Sequence, residues 1–419
     1  MYNNEEIKEK VDYCLNCKVK PCKKGCPLGN DIPGFISNIK QEKYEEAYKV
    51  LSKTTVMQSI CGRICPHMSQ CMGSCVRGIK SNPVSIGQLE YTLGDLAIEK
   101  DFPMEELEKD CMGKKVAVVG SGPVGLTCAA FLARKGANVT IYEKYSDLGG
   151  ILRRGIPDFR LSKDILDNTI QKILDLGISV EYNKEIGNNI YLEDLTNKYD
   201  AVFIGIGANI PWKMGIEGEN LQGVYGGNTL LEKQNHPDYT EKNVAIIGGG
   251  NVAMDCARTI KKMGAKNVSI IYRRSEKQMP AERKEIEDAK LEGVKFLFQN
   301  NVTKILGQDK VEKIECIKTE LVEKEGETRK VPIDIEGSNY IISMDYVVMA
   351  IGSAPEEKIL NKLNLERTKK GYIKVDEAYR TSIKKVFAGG DIIGQKATVA
   401  WAARTGRDAA YEIAKYLNN

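Results

Sequence analysis

The sequence predicts an α/β protein built from two Rossmann-like nucleotide-binding folds, one inserted in the other, behind an all-α N-terminal domain. Three observations predict it. An apolar run, Val116–Val119, leads into Gly120-Ser121-Gly122-Pro123-Val124-Gly125. The pattern restarts at Val244–Ile247 and Gly248-Gly249-Gly250-Asn251-Val252-Ala253, about 130 residues later. Eight of the twelve cysteines fall within the first 75 residues.

The first glycine loop is framed by the parts a dinucleotide fold needs. The apolar run reads as a buried parallel strand. A helical pattern follows (Leu126, Ala129, Ala130, Leu132, Ala133), then Gly136 and a β-rich run, Asn138–Tyr142, ending in Glu143. Gly120 permits the tight turn, Gly122 lets backbone approach a pyrophosphate, and Gly125 lets helix and strand pack closely. The helix N-terminus offers free N–H groups and a favourable dipole to that anion. Glu143 is expected to accept hydrogen bonds from an adenosine ribose. Gly149-Gly150 allow backbone to lie against a ligand, with a plain surface turn as the alternative. Ala201–Gly207 is another apolar strand ending in glycines, and Val386–Asp391 (VFAGGD) closes the fold. Asp391 is placed to hold the ribityl or pyrophosphate region of a flavin, or else caps a helix. A helix over Ala397–Ala410 follows, its N-terminus available to the flavin ring. The candidate FAD contacts are Gly120, Gly122, Pro123, Gly125, Glu143, Lys144, Gly149, Gly150, Arg154, Gly207, Gly390, Asp391 and Thr398.

The second glycine loop opens a helix over Met254–Met263 and a strand over Val268–Tyr272, and there it departs from the first. Where Glu143 closed the first unit, this one gives Arg273-Arg274. A carboxylate would repel a 2′-phosphate, whereas guanidinium forks bind it bidentately. NADPH is therefore expected over NADH, the alternative being two solvated arginines. The candidate NADP contacts are Gly248, Gly250, Asn251, Val252, Ala253, Arg273, Arg274 and Gly352, the last closing the apolar run Asp345–Gly352. Residues 295–345 read as β-rich, with a charged hairpin at Glu323–Arg329. The closing VFAGGD returns to the first fold, so the domains are expected at 1–112 (helical, cysteine-rich), 113–240 with 345–419 (FAD-binding) and 241–344 (NAD(P)-binding).

The cysteines form two groups, Cys14-x2-Cys17-x4-Cys22-x3-Cys26-Pro27 and Cys61-x3-Cys65-Pro66-x5-Cys71-x3-Cys75. Eight thiolates exceed one four-ligand site. Zinc ribbons usually pair two CxxC or Cys/His knuckles. Here Cys-Pro occurs twice, as in ferredoxin-type ligand runs. Two [4Fe–4S] clusters in a ferredoxin-like iron–sulfur domain are the favoured reading, with zinc as the alternative. No CxxC occurs after Cys17, which disfavours a dithiol working beside a flavin. Neither histidine, His67 or His236, lies in a motif, and His67 reads as a surface neighbour of the cysteines. Helical patterns cover 34–52 and 88–100, and Asp101–Gly113 reads as a linker.

Composition excludes several classes. No apolar run approaches the ~18 residues of a membrane span. The opening MYNNEEIKEK lacks the apolar core of an export signal, so the cytoplasm is expected. A net charge of +4 over 419 residues, with no basic aromatic-studded stripe, does not point to nucleic acid.

Across essentially its whole length the chain resembles the small (beta) subunit of NADPH-dependent glutamate synthase. Relatives of that family are the flavin/iron–sulfur half of dihydropyrimidine dehydrogenase and the large subunit of NADH-dependent ferredoxin:NADP oxidoreductase. The resemblance is carried by Cys14–Pro27, CGRICP (61–66), CMGSC (71–75), GSGPVG (120–125), GGILRRGIP (149–157), GGGNVAMD (248–255), YRR (272–274), MPA (279–281) and FAGGD (387–391). It implies interleaved ligand sets: Cys14, Cys17, Cys22 and Cys75 for one cluster; Cys26, Cys65, Cys71 and Glu90 for the other. Cys61 is then no ligand, although its spacing alone suggests one. The resemblance also implies electron flow from NADPH through FAD and two [4Fe–4S] clusters to an electron-accepting partner in a hetero-oligomer, with no side-chain acid or base. The motifs do not separate a glutamate synthase partner from a pyrimidine dehydrogenase or a ferredoxin-linked, electron-bifurcating one. A redox scaffold that binds nucleotides without turnover and a zinc-stabilised flavoprotein oxidase are the readings from other classes.

Overall fold

The computed structural model describes residues 5–327 and 329–419. Its contacts divide into two compact units, Met1–Ala208 with Pro355–Asn419, and Asn209–Ala354.

The first unit opens with helices Glu5–Asp12, Pro21–Gly25, Ile32–Lys40, Tyr44–Ser52, Gln58–Ile64 and Ile86–Glu99. The pattern over 34–52 is therefore two helices, not one. Glu42 adopts a left-handed φ of 59°, and the Lys43 N–H returns to the Asn38 carbonyl at 3.0 Å. The break lets Phe35, Ile36 and Ile39 share one core with Ala47, Tyr48 and Leu51. The stretch read as a linker has no regular element, yet it is docked. The Glu105 N–H donates to Ser52 Oγ at 2.7 Å. Arg134 donates to the Ser52 carbonyl at 2.7 Å and to the Glu105 carbonyl. Cys111 is fully buried, and its N–H reaches the Lys135 carbonyl at 2.9 Å.

Behind these helices lies a five-stranded parallel sheet. Its order is Val386–Ala388, Ala201–Ile204, Lys115–Val119, Asn138–Tyr142, Ser179–Glu181. Helix Pro123–Arg134 is buried along its whole length. The sheet lies on one side of it, and helix Val399–Asn418 packs on the other. Two glycines allow that sandwich. A Cβ at Gly125 would sit 1.9 Å from the Gly120 carbonyl oxygen, and one at Gly406 would sit 2.3 Å from that of Val124.

The second unit repeats the plan. Its parallel sheet runs Val224–Gly226, Tyr346–Met349, Asn243–Ile247, Asn267–Tyr272, Lys295–Phe298. The first two strands lie outside the 241–344 boundaries drawn from sequence. Tyr346–Met349 pairs with Asn243–Ile247 on one side and Val224–Gly226 on the other, not with the first sheet, so the units change at Ala208/Asn209 and Ala354/Pro355. The β-rich stretch is an antiparallel sheet of Asn300–Leu306, Lys313–Val322, Val331–Asp334 and Tyr340–Ser343.

Candidate functional site

Each glycine loop sits where a parallel strand ends and a helix begins, at the carboxyl edge of its sheet, which is where nucleotides bind in such folds. Gly120 (φ 97°) and Gly248 (φ 142°) need their positive φ. A Cβ would meet the carbonyl of Gly205 at 2.6 Å in the first case and that of Ala350 at 2.2 Å in the second. Gly122 and Gly250 differ in kind. A Cβ on either meets nothing within 4 Å, so the loop opens outward there. Open space beside the first N–H groups of a helix suits a pyrophosphate. Pro123 is the first residue of one helix, and Asn251 and Val252 open the other.

Around the first loop, Glu143 is buried. Its carboxylate accepts from the Ser121 N–H at 3.0 Å, the Ser121 hydroxyl, and the Tyr145 N–H at 3.0 Å. The Ser121 oxygen in turn accepts from the Gly149 N–H at 3.1 Å, so the carboxylate, the glycine loop and the Gly149-Gly150 turn form one unit. A Cβ on Gly150 would lie 2.9 Å from Gly122 Cα. Lys144 is exposed beside the Tyr145 ring. Arg154 stacks at 3.7 Å on that ring and pairs with both Asp147 oxygens at 2.8 Å. Its Nε is buried without a hydrogen-bond partner. Gly207 turns the chain after strand Ala201–Ile204. The Gly390 N–H is held by Thr405 Oγ1 at 2.8 Å. Next to it, Asp391 Oδ1 is buried and unpartnered, and burial pushes its carboxyl up to about 6. An orphaned carboxylate oxygen beside a glycine turn suits a ligand hydroxyl. Thr398 caps the C-terminal helix, its oxygen accepting from the Trp401 N–H at 3.3 Å.

Around the second loop, Asn251 Oδ1 accepts from the Glu282 N–H at 2.8 Å, and the Ala281 N–H reaches the Gly249 carbonyl at 3.2 Å. The MPA segment is thus a strap across the loop, a role its composition did not reveal. Ala253 is fully buried. Arg273 is exposed at the strand end, and Arg274 Nε donates to the Lys330 carbonyl at 3.1 Å. A third guanidinium, missed in the sequence, arrives there. Arg329 donates to the Tyr272 hydroxyl at 3.3 Å and to the Gln278 carbonyl. Gly352 packs under the Trp212 indole, where a Cβ would be 2.9 Å from the ring.

The cysteines gather in two places. Cys14, Cys17, Cys22 and Cys75 line an open cavity of about 350 Å³ whose remaining walls include Leu15, Pro21, Ile32, Ile36, Val84 and Ile86. Burial pushes the Cys14 thiol up, and the Cys22 thiol to about 11, each further raised by Cys75. Four thiols lining one apolar-walled cavity suit a soft, cationic iron centre, which would draw off their protons. The second group is deeper. Burial and then Glu90 raise Cys26 to about 11 and also raise Cys71. Cys65 is raised first by a hydrogen bond with Cys61 and then by burial. Cys26, Cys65, Cys71 and Glu90 thus feel one another, with Cys61 beside Cys65. Glu90 lies on the buried face of its helix. Burial pushes it up to about 8, against one hydrogen bond from Asn30 Nδ2 at 3.1 Å. His67 is half-buried. Its ring packs on Gly87, its Nε2 is buried without a partner, and burial pushes it down to about 4. Among the described residues no group of three His, Cys, Asp or Glu side chains is drawn together tightly enough to hold a single metal ion.

The second group is tied directly to the flavin-type fold. Arg407, on the C-terminal helix, donates to the Leu28 carbonyl at 2.6 Å and the Thr54 carbonyl at 3.1 Å. Arg404 donates to the Pro27 carbonyl at 3.1 Å. Two carbonyls just after Cys26 are therefore held by the helix that Thr398 caps. No helix among the described residues is long and apolar enough to cross a membrane.

The family model for pyridine nucleotide-disulphide oxidoreductases matches residues 114–406, and that for dihydropyrimidine dehydrogenase domain II, 4Fe-4S cluster, matches 1–102. The glutamate synthase [NADPH] small chain of Escherichia coli is 34% identical over 99% of this chain and 92% of its own length. The beta subunit of NADP(+)-dependent formate dehydrogenase from Moorella thermoacetica is 36% identical over 95% of this chain and 60% of its own. The structure of Mycobacterium tuberculosis FprA in complex with NADPH superimposes with a TM-score of 0.65 at 21% identity, covering 73% of this chain and 85% of that one, a likeness of fold. With a 4Fe-4S domain joined to a nucleotide-binding oxidoreductase fold, and near full-length identity to those small chains, the protein belongs to the glutamate synthase small-chain family of pyridine nucleotide-disulphide oxidoreductases.

Proposed function

We propose that the chain is the NADPH-oxidising subunit of a hetero-oligomeric electron-transfer complex, using FAD and two [4Fe–4S] clusters and working in the cytoplasm. Bound FAD supplies the conversion of a hydride into single electrons, and bound clusters supply one-electron transport. The chain's own residues bind, orient and insulate. Gly122 and Gly250 give each pyrophosphate its approach. Glu143 turns a carboxylate toward one ribose, and Arg273-Arg274 offer guanidinium forks to a 2′-phosphate. Cys14, Cys17, Cys22 and Cys75 hold one cluster. Cys26, Cys65, Cys71 and Glu90 hold the other, and apolar side chains line the first. No side chain is asked to move a proton.

One observation carries the reading: a single compact unit contains both the first glycine loop and both cysteine groups, with Arg404 and Arg407 joining them. The test is anaerobic stopped-flow mixing with NADPH. Flavin bleaching followed by cluster reduction is expected. A protein that binds NADPH without bleaching is a scaffold, and the proposal fails. The ligand sets have their own check, because Cys61→Ala is expected to keep the iron of both clusters and Cys65→Ala to lose the iron of one. The likeness to the formate dehydrogenase subunit favours a second reading of the partner, a formate-oxidising subunit in place of a glutamate-forming one. Identifying the chain that co-purifies decides between them.

A further inference from the structure

The two cysteine groups differ in how they meet the surface. Cys26, Cys65 and Cys71 lie against the buried Glu90. The first group lies in an open cavity with Leu15 and Val76 on its wall. Those two side chains are 51% and 38% exposed, and near them in the chain Val19 is 71% and Ile79 77% exposed. The loops carrying them are stitched together at Tyr13. Arg77 donates to the Tyr13 carbonyl at 2.9 Å and covers its ring, and the Tyr13 hydroxyl meets the Asn82 carbonyl at 3.0 Å.

The charge on these loops is one-sided. Residues 13–30 and 66–89 carry Lys18, Lys20, Lys23, Lys24, Arg77 and Lys80 and not one Asp or Glu, in a chain whose overall charge is only +4. Lys20 is taken by Asp31 at 2.7 Å. Lys18, Lys23, Lys24 and Lys80 are exposed. Exposed apolar side chains and exposed lysines therefore share the loops that carry the first group, and exposed apolar clusters mark interaction sites.

We propose that this face is the electron exit: the docking surface for a protein electron acceptor whose own contact patch is acidic around an apolar centre. The proposal deepens the electron-transfer reading above and rests on it. Each NADPH oxidised to NADP+ sends two electrons, one at a time, to the acceptor seated here and releases one proton to solvent. The lysines steer its association, which falls with salt.

The test uses the holoenzyme with an acidic two-cluster ferredoxin as the protein probe and an uncharged quinone as the small one. Lys18→Glu/Lys24→Glu is expected to raise the ferredoxin KM roughly tenfold or more and to flatten its salt dependence, with NADPH-driven quinone reduction and cluster midpoint potentials unchanged. Ile79→Asp is expected to weaken ferredoxin binding at all salt concentrations. Lys369→Glu/Lys370→Glu makes the same change in net charge outside these loops and is expected to leave ferredoxin binding alone. An unaltered ferredoxin KM in the first variant overturns the proposal. So does a shift of cluster potentials with equal loss of both acceptors, because the lysines would then serve the cluster's charge. Calorimetric binding of the ferredoxin without NADPH decides the surface on its own, whereas a wild-type protein that NADPH does not bleach overturns the function reading instead.

Discussion

The two nucleotide-type folds of this chain share a parallel sheet with the glycine loop on its central strand and the helix that follows, although the edge strand comes last in the first unit and first in the second, and they differ at three places. The third loop position is Gly125 in one and Ala253 in the other. The residue after the second strand is Glu143 in one, and an arginine pair in the other. The edge strand runs into Gly390-Asp391 in the first and into Gly227-Asn228 in the second. Each difference has a local cause. A Cβ at Gly125 would sit 1.9 Å from the Gly120 carbonyl oxygen of its own loop, so there is no room for a methyl group there. Helix Asn251–Lys262 presents a polar side, where Arg258 is gripped by Glu292 at 2.8 and 3.0 Å, and Ala253 fits. A common backbone plan carries opposite charge at its two loop edges, and under the proposed function that division suits the first fold to FAD and the second to NADPH.

The largest effect is expected at the third loop position. Gly125→Val should prevent the first unit from folding, because overpacking costs about 1–3 kcal/mol per added clash and here the first added atom already meets backbone. Ala253→Gly should cost only about 1 kcal/mol, the ordinary helix penalty. Thermal unfolding of both variants checks this, and equal losses would break the contrast. At the edge-strand position, Asp391→Asn gives the first fold the second fold's uncharged side chain. The Asp391 carboxyl is raised from 3.8 to about 6 in the flavin-free protein. Below pH 3.8 both folded and unfolded states hold the proton, so there is no penalty. Stability is then lost as pH rises through that window, and the loss is complete above about 6. At neutral pH the flavin-free Asn variant should be more stable by about 3 kcal/mol at most, read from urea unfolding at pH 4 and pH 7. Next, Arg273→Glu/Arg274→Glu makes the second strand end resemble the first. The ratio of kcat/KM for NADPH over NADH should fall roughly 10- to 100-fold, the worth of a charge-assisted hydrogen bond or two. The smallest effect belongs to Arg329→Gln, which removes a guanidinium that reaches this strand end through Tyr272. A rise of roughly threefold in the NADPH KM, with the NADH KM unmoved, is expected for a loss of about 0.6 kcal/mol.

What could be read without coordinates was local. A strand, a glycine loop, a helix and a second strand follow one another within about thirty residues, so both loops were visible, as were the acid and the arginines that end them. The spacing and the prolines around the cysteines were visible for the same reason. Features made by distant partners were not. Strand Tyr346–Met349 was placed with the flavin fold because it lies next to it in sequence, whereas its ladder partner is Asn243–Ile247. The break at Glu42 depends on burying two helical faces against each other, and periodicity alone runs through it. The stretch 101–113 has the composition of a tether, and only Ser52 and Arg134 reveal that it is docked. The partial burial of His67 has no sequence signal, because nothing in its neighbours foretells Gly87 against its ring. Glu90 could be singled out only by resemblance, since a lone glutamate on a helix usually faces water.

Arg404 and Arg407 reach carbonyls 377 and 379 positions away in the chain. On the ribosome, the loop that bears Cys26 therefore emerges long before its fasteners do, and any metal loaded in that interval would enter a cradle still missing those struts.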